Sequence, residues 1–350
     1  MMLNEYMDEF SYRTFSDLLT GYRLSAVLMQ AHDSGVFDAV GPEGGESAEI
    51  CARMGWEPAY GDRFLRCLGG LGLLIRTGSG YALGPFASTY LCSASPHYQG
   101  NTLLFERQLQ ASWTQLTATL GAGKRVFATG DKDSRALQKA FSTFLGAMDE
   151  AAAIRARELW SWLPVAASGG IILDTGAGSG AYLSDFLRRY SAWTGIFCDL
   201  PEVVADSSLH QRLAGTADRL RWCGCNLLAD GPSDFDLIAG QSCDLVLLSN
   251  IIHCQGAEET EGLLRKAAAK TRDRGLLVVH DFFSDGGWRG ALYDIHMMLN
   301  TFNGRTYPLP DIIAMASACG FRHSTAGRLP SGSTALVLAR DAEVLTSLPG

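Results

Sequence analysis

Residues 171–183, Ile-Ile-Leu-Asp-Thr-Gly-Ala-Gly-Ser-Gly-Ala-Tyr-Leu, constrain this chain more than any other stretch. An apolar run ends in Asp174, breaks into Gly176, Gly178 and Gly180, and gives way to helical spacing at Leu183, Phe186 and Leu187. The pattern predicts a strand, a tight turn and a helix N-terminus, where a backbone without Cβ atoms can press against a nucleoside-bearing cofactor. The unpaired N–H groups of the new helix then face an anion. Gly-Ala-Gly-Ser-Gly-Ala also satisfies the relaxed G-x-G-x-x-A dinucleotide fingerprint, so the surrounding residues have to choose the cofactor.

A chain of 350 residues with 47% apolar content has the size of about two domains, each with a proper core. A formal charge of −8 argues against a nucleic-acid surface, because no basic excess is present to neutralise phosphates. The acidic opening Met-Met-Leu-Asn-Glu-Tyr-Met-Asp-Glu-Phe does not read as a secretory signal, and no run reaches the ~18 apolar residues of a membrane span. Nine scattered cysteines, with Cys223 and Cys225 the one close pair and no second pair at zinc spacing, are expected to be reduced thiols without metal. The expected compartment is the cytoplasm.

Residues 14–31 carry apolar positions at helical spacing, and Ser-Gly-Val-Phe-Asp-Ala-Val reads as a turn and a short second helix. A helix–turn–helix follows over Glu46–Met54 and Tyr60–Leu71, then two short strands about Gly78-Ser79-Gly80. Helix–turn–helix plus β-wing is a winged-helix shape. Its second helix offers Asp62 beside Arg63 and Arg66, so a packing or dimerisation module is favoured over DNA binding. The helical stretches Gln108–Leu120 and Leu137–Leu163 carry Phe105, Trp113, Phe141, Phe144 and Met148 in or near them, as core or as pocket lining. After Ser168-Gly169-Gly170 the texture changes to strands at 171–174, 194–199, 220–223, 244–248 and 275–280, a helix at 309–319 and a last strand at 334–340. The fold class read from this is α/β: a Rossmann-like, doubly wound, mostly parallel sheet behind a mainly α winged-helix domain. The boundaries read as 1–105, connecting helices over 106–165, and the cofactor-binding domain over 166–350.

Three further signals lie at carboxyl ends of the expected parallel strands, the edge where such sheets bind ligands. They are Asp199-Leu200-Pro201, Cys225-Asn226-Leu227-Leu228, and Ser249-Asn250-Ile251-Ile252-His253-Cys254. A carboxylate at Asp199 can accept both hydroxyls of a ribose.

With these residues the chain resembles the class I S-adenosylmethionine-dependent methyltransferases, and within them the small-molecule O-methyltransferases with an N-terminal winged-helix dimerisation domain (hydroxyindole, caffeate and polyketide types). The resemblance spans the dimerisation segment Leu18–Leu91, the glycine loop, Cys198-Asp199-Leu200-Pro201-Glu202-Val203, Ile252-His253 and Ala318-Cys319-Gly320-Phe321. It implies S-adenosylmethionine as cofactor and a homodimer joined through the N-terminal domain, with neither nucleic acid nor membrane as partner. Asp174, Gly176, Gly178 and Gly180 would meet the methionine and adenosine parts, Asp199 the ribose and Asn226 the adenine amino group, with Leu200, Leu227 and Ser249 alongside. The family usually has aspartate where Asn226 stands; an amide oxygen can still accept from the adenine N–H.

His253 matches the family's catalytic base and Asp281 the acid that orients it. A phenol near pKa 10 must lose its proton as its oxygen takes the methyl, and an imidazole can receive it. Two departures stand out: Cys254 follows the base where an aspartate is common, and Phe302-Asn303-Gly304-Arg305 offers no second acid. Tyr293–Asn300 resembles the pocket helix, with His296, Met297 and Asn300 as acceptor contacts beside Trp113, Phe144 and Met148. The expected activity is methyl transfer to a hydroxyl of a small aromatic or enolic molecule. Left open are a sulfur, nitrogen or carbon acceptor with His253 only positioning it, a dinucleotide cofactor, a transcription regulator sensing a ligand, and a scaffold without catalysis.

Overall fold

The computed structural model describes residues 10–125, 134–228, 242–285 and 287–346; side chains of 134–141, including the aromatic Phe141, lie outside the described set. The chain divides into two compact units, Met1–Arg107 and Gln108–Gly350.

In the first unit the stretch expected as one helix is two, Tyr12–Thr20 and Tyr22–Ser34. Gly21 stands at the junction, where the helix loses the side-chain packing that would carry it on. A short helix Val36–Val40 leads to Ser47–Met54 and Pro58–Gly70; Glu57 caps the last of these, with Pro58 in its first turn. Strands β1 (Gly45–Glu46), β2 (Leu74–Thr77) and β3 (Gly80–Leu83) form an antiparallel sheet in the order β1-β3-β2. The expected winged helix is therefore present, built on a core of Val36, Phe37, Ile50, Leu65, Leu68, Leu74 and Tyr81. Its first two helices leave Tyr12, Phe15, Leu18, Leu19 and Tyr22 exposed.

The second unit is a seven-stranded sheet: β4 (Gly170–Thr175), β5 (Trp193–Asp199), β6 (Leu220–Gly224), β7 (Cys243–Ser249), β8 (Thr271–Asp281), β9 (His323–Arg328) and β10 (Thr334–Ala339). The spatial order is β6-β5-β4-β7-β8-β10-β9. Strands β4 to β8 run parallel, while β10 is antiparallel to both β8 and β9. Separate apolar clusters cover the two faces, so β4, β7 and β8 read as continuous apolar runs. The helix expected over 108–120 breaks into Gly100–Trp113 and Leu116–Ala122, followed by the long Ser134–Trp162. Among the described residues no helix is long and apolar enough to cross a membrane.

The helix Ala181–Arg189 leaves the glycine loop and buries Tyr182, Leu183, Phe186 and Leu187 along one stripe. Phe186 lies 4.8 Å from the Trp160 ring, 4.8 Å from Tyr190 and 5.1 Å from Trp193. These aromatic contacts pin the loop's outgoing helix to the sheet. Replacing Phe186 with Ala is expected to cost about 3–5 kcal/mol, read as a lower urea midpoint at unchanged slope.

Candidate active site

The glycine loop folds as its sequence requires. Gly176, Gly178 and Gly180 take φ of +74°, +55° and +72°, a region other residues rarely enter. A Cβ at Gly176 would lie 2.5 Å from Ile251 Cδ1, and one at Gly180 2.7 Å from Leu213 Cδ1, whereas Gly178 has nothing within 4 Å. Two positions are thus glycine for close packing, and the third for its positive φ, with open space where a side chain would stand.

Asp174 ends this strand 1% exposed, with neither carboxylate oxygen hydrogen-bonded. Burial, reinforced by the charge of Asp199, pushes its carboxyl up to about 8. An uncompensated acid in such a place is poised for a cation. Asp199 is better supplied: Gly178 N–H donates to Oδ2 and Leu200 N–H to Oδ1, each at 2.7 Å. Burial still raises its carboxyl above the ordinary value, against the opposing pull of those two N–H groups. Asn226 Oδ1 accepts from Leu228 N–H at 3.0 Å, which fixes the amide. Leu200 is half exposed and Leu227 buried.

After β7 the chain turns at Asn250, a non-glycine residue at φ +53°. Its side chain stabilises the turn by donating to Tyr182 Oη (2.9 Å) and Ser249 Oγ (3.0 Å). The 3₁₀ turn Ile252–Cys254 then carries His253 inward. His253 Nδ1 meets Asp281 Oδ1 at the end of β8, and the same oxygen accepts Phe282 N–H at 2.7 Å. Burial lowers the imidazole pKa, but the Asp281 carboxylate, aided by Tyr293 and Cys254, outweighs it and holds His253 well above 6.5. Nδ1 is therefore tied to an acid, and Nε2 is the nitrogen left for chemistry.

Nε2 faces the Tyr293 hydroxyl at 3.5 Å, the rings standing edge to face. Tyr293, from the helix Trp288–Asn300, also packs on Phe282 at 4.3 Å and His296 at 5.5 Å, and His296 lies 6.4 Å from Trp113. These rings line one aromatic wall beside His253. Burial, then the charge of His253, lowers the pKa of His296, which favours its neutral form. Asn300 Nδ2 donates to the His296 carbonyl, Met297 is buried, and Phe144 and Met148 are half exposed on Ser134–Trp162. Ser249 Oγ lies 3.2 Å from Nδ1 of His280, whose burial pushes it down to about 3.

Two residues near His253 are not singled out by the sequence. Tyr293 opens the stretch that resembles the pocket helix, but His296, Met297 and Asn300, not the tyrosine, are the contacts expected there. Arg155, on Ser134–Trp162, places its guanidinium 4.8 Å over the Phe282 ring and 3.5 Å from Asn250 Oδ1. Charges from Arg155 and Asp174 both act on Tyr182, whose hydroxyl burial pushes up to about 12.

A family model described as an O-methyltransferase domain matches residues 105–322, and an O-methyltransferase dimerisation domain matches 16–93. The chain belongs to the S-adenosylmethionine-dependent O-methyltransferases. It is 27% identical over 281 residues to the tetracenomycin polyketide synthesis 8-O-methyl transferase TcmO of Streptomyces glaucescens, covering 78% of this chain and 80% of that one. It is 27% identical over 350 residues to the acetylserotonin O-methyltransferase of Rattus norvegicus, covering 94% and 77%. Human N-acetylserotonin methyltransferase, solved in complex with SAM, superposes with TM-score 0.73 at 20% identity over 95% of this chain and 99% of that one. That last likeness bears on the fold.

In this O-methyltransferase the Asp281 carboxylate is the largest of the influences that raise the His253 pKa. The ring carbon resonance of His253 in an NMR titration is expected to report a pKa above 6.5, and Asp281→Asn is expected to lower it. An unmoved titration in the variant would remove Asp281 as the cause.

Proposed function

We propose that this enzyme transfers a methyl group to a hydroxyl of a small aromatic or enolic molecule, with His253 as general base and Asp281 as its orienting partner. The observation that carries the reading is the buried Nδ1–Asp281 pair, which directs Nε2 toward an aromatic wall of Tyr293, His296 and Trp113. The relatives named above are, by their names, transferases to a polyketide oxygen and to acetylserotonin, in keeping with a flat acceptor.

S-adenosylmethionine, when bound, supplies an electrophilic methyl on a sulfonium that departs as a neutral thioether. The residues present fit it. The buried, partnerless carboxylate of Asp174 would hold the amino group and Arg155 the carboxylate of the methionine end. Gly178 offers open backbone, and Asp199, held by two N–H groups, would take the ribose hydroxyls with Asn226 at the adenine edge. Leu200, Leu227 and Ser249 would complete this cleft.

At the acceptor side Nε2 of neutral His253 takes the hydroxyl proton, and the resulting imidazolium is held by Asp281. Because Asp281 raises the pKa, the base form is filled only above the ordinary histidine range, and turnover rises with pH through that raised value. Tyr293, His296, Met297, Asn300 and Trp113 would orient the ring, with Phe144 and Met148 farther out. The exposed Tyr12, Leu18, Leu19 and Tyr22 would be covered in a homodimer, in accord with the matched dimerisation domain.

His253→Ala is expected to slow turnover by roughly 10²-fold or more with S-adenosylhomocysteine binding retained. Full activity in the variant would exclude the base and point to an acceptor that gives up no proton. Asp174 supplies a second test. At pH 7 a carboxyl near 8 is mostly protonated, and an incoming ammonium shifts it toward the anion. Calorimetry of S-adenosylhomocysteine binding in buffers of different ionisation enthalpy should therefore show proton release, absent in Asp174→Asn.

A further inference from the structure

Three cysteines meet behind the nucleoside cleft. In the parallel pairing of β5 with β6, Cys198 stands opposite Cys223, and Cys225 lies two residues farther on, its N–H donating to the Asp199 carbonyl at 2.7 Å. Alternation along a strand places all three side chains on one face of the sheet. Their sulfurs lie within 4.8 Å of one another, Cys198 to Cys225 at 3.1 Å, and all three residues are buried. Sequence spacing shows only the Cys223/Cys225 pair; the sheet register supplies Cys198.

The surroundings select the ligand by charge. Toward the cleft Asp199 follows Cys198 directly, with Glu202 and Cys225 adding to its field, while the Lys266 ammonium is engaged on the Leu227 carbonyl at 2.6 Å. Contact with Cys223 and Cys225, and then burial, push the Cys198 thiol far above its ordinary range, so it stays protonated at neutral pH. A divalent ion on three thiolates would leave a net negative charge in an apolar core beside an acid, and it would have to expel three protons. Zinc would also want a fourth ligand, and the group contains three. A trivalent centre leaves no charge at all.

We propose that Cys198, Cys223 and Cys225 form a binding site for a trivalent thiophilic oxyacid, of which arsenous acid is the simplest. Each thiol displaces one hydroxyl: three arsenic–sulfur bonds form and three arsenic–oxygen bonds break. The three thiol protons leave with the hydroxyls as three waters, and arsenic stays trivalent, so no oxidant or reductant is needed. The product is neutral, matching three sulfurs with a centre of charge three in an apolar pocket. Because Cys198 precedes Asp199 and Cys225 precedes Asn226, a loaded site would staple together two strand ends that border the cleft.

The test uses the reduced full-length protein mixed with arsenous acid and then desalted, with elemental analysis and arsenic X-ray absorption. Expected are one arsenic per chain and three sulfur neighbours. Cys223→Ser should weaken retention by about tenfold or more, equivalent to about 1.4 kcal/mol, whereas Cys319→Ser should not change it. Two sulfur neighbours, equal retention by Cys223→Ser, or displacement of arsenic by an equimolar zinc salt would each overturn the proposal. The neighbour count is read on the unaltered protein, so a folding defect in a variant leaves it decisive. It also needs no methyl donor, so it stands apart from the fate of the catalytic reading.

Discussion

The parallel ladder through β4, β7 and β8 is the constraint from which the candidate site follows. Thr175 pairs with Leu248, and Ser249 with His280, so the three strands end at one level. Asp174, the turn after Ser249 and Asp281 are thereby delivered to one edge although more than a hundred residues separate the first from the last. A shift of one residue between β7 and β8 would turn Asp281 to the opposite face and leave His253 without its acid. Backbone hydrogen bonds and apolar burial on both faces hold that register, and the pairing of His253 with Asp281 needs no separate scaffold.

Electrostatics then divides the edge into unlike compartments. In a low-dielectric interior a charge must be matched or suppressed. His253 and Asp281 match each other, His280 is suppressed between Ser249 and Ser333, and Asp174 is left unmatched on the ligand side. Arg155, stacked on Phe282, supplies the positive charge among these elements. This distribution suits a ligand that carries both signs at one end and an acceptor that arrives neutral.

Much of this architecture is visible in the sequence because β4, β5, β7, β8 and β10 each contain a short apolar segment buried on both faces. Strand β9, His323-Ser-Thr-Ala-Gly-Arg328, escapes notice since it is an edge strand with largely exposed side chains. The break at Gly21 is hidden within an otherwise regular apolar spacing. Asp199 and His253 are legible because strand ends announce ligand positions. Arg155 is not, since it reaches the neighbourhood of His253 from a helix whose local pattern encodes only packing, and Tyr293 shares the stretch that resembles the pocket helix without a signal of its own. The thiol cluster is half legible for the same reason: its third member is contributed by strand pairing.

The antiparallel β10 has a consequence for biogenesis. It covers the carboxyl-terminal part of β8 on one side, pairing from Thr334 with Asp281 through Ala339 with Leu276. Until residues 334–339 are in place, the apolar Leu276–Val279 segment of β8 has an open rim, the template on which like chains associate. The sheet is therefore completed by a contact between segments more than fifty residues apart, Thr334–Ala339 with Asp281–Leu276, a non-local step of the kind that slows folding.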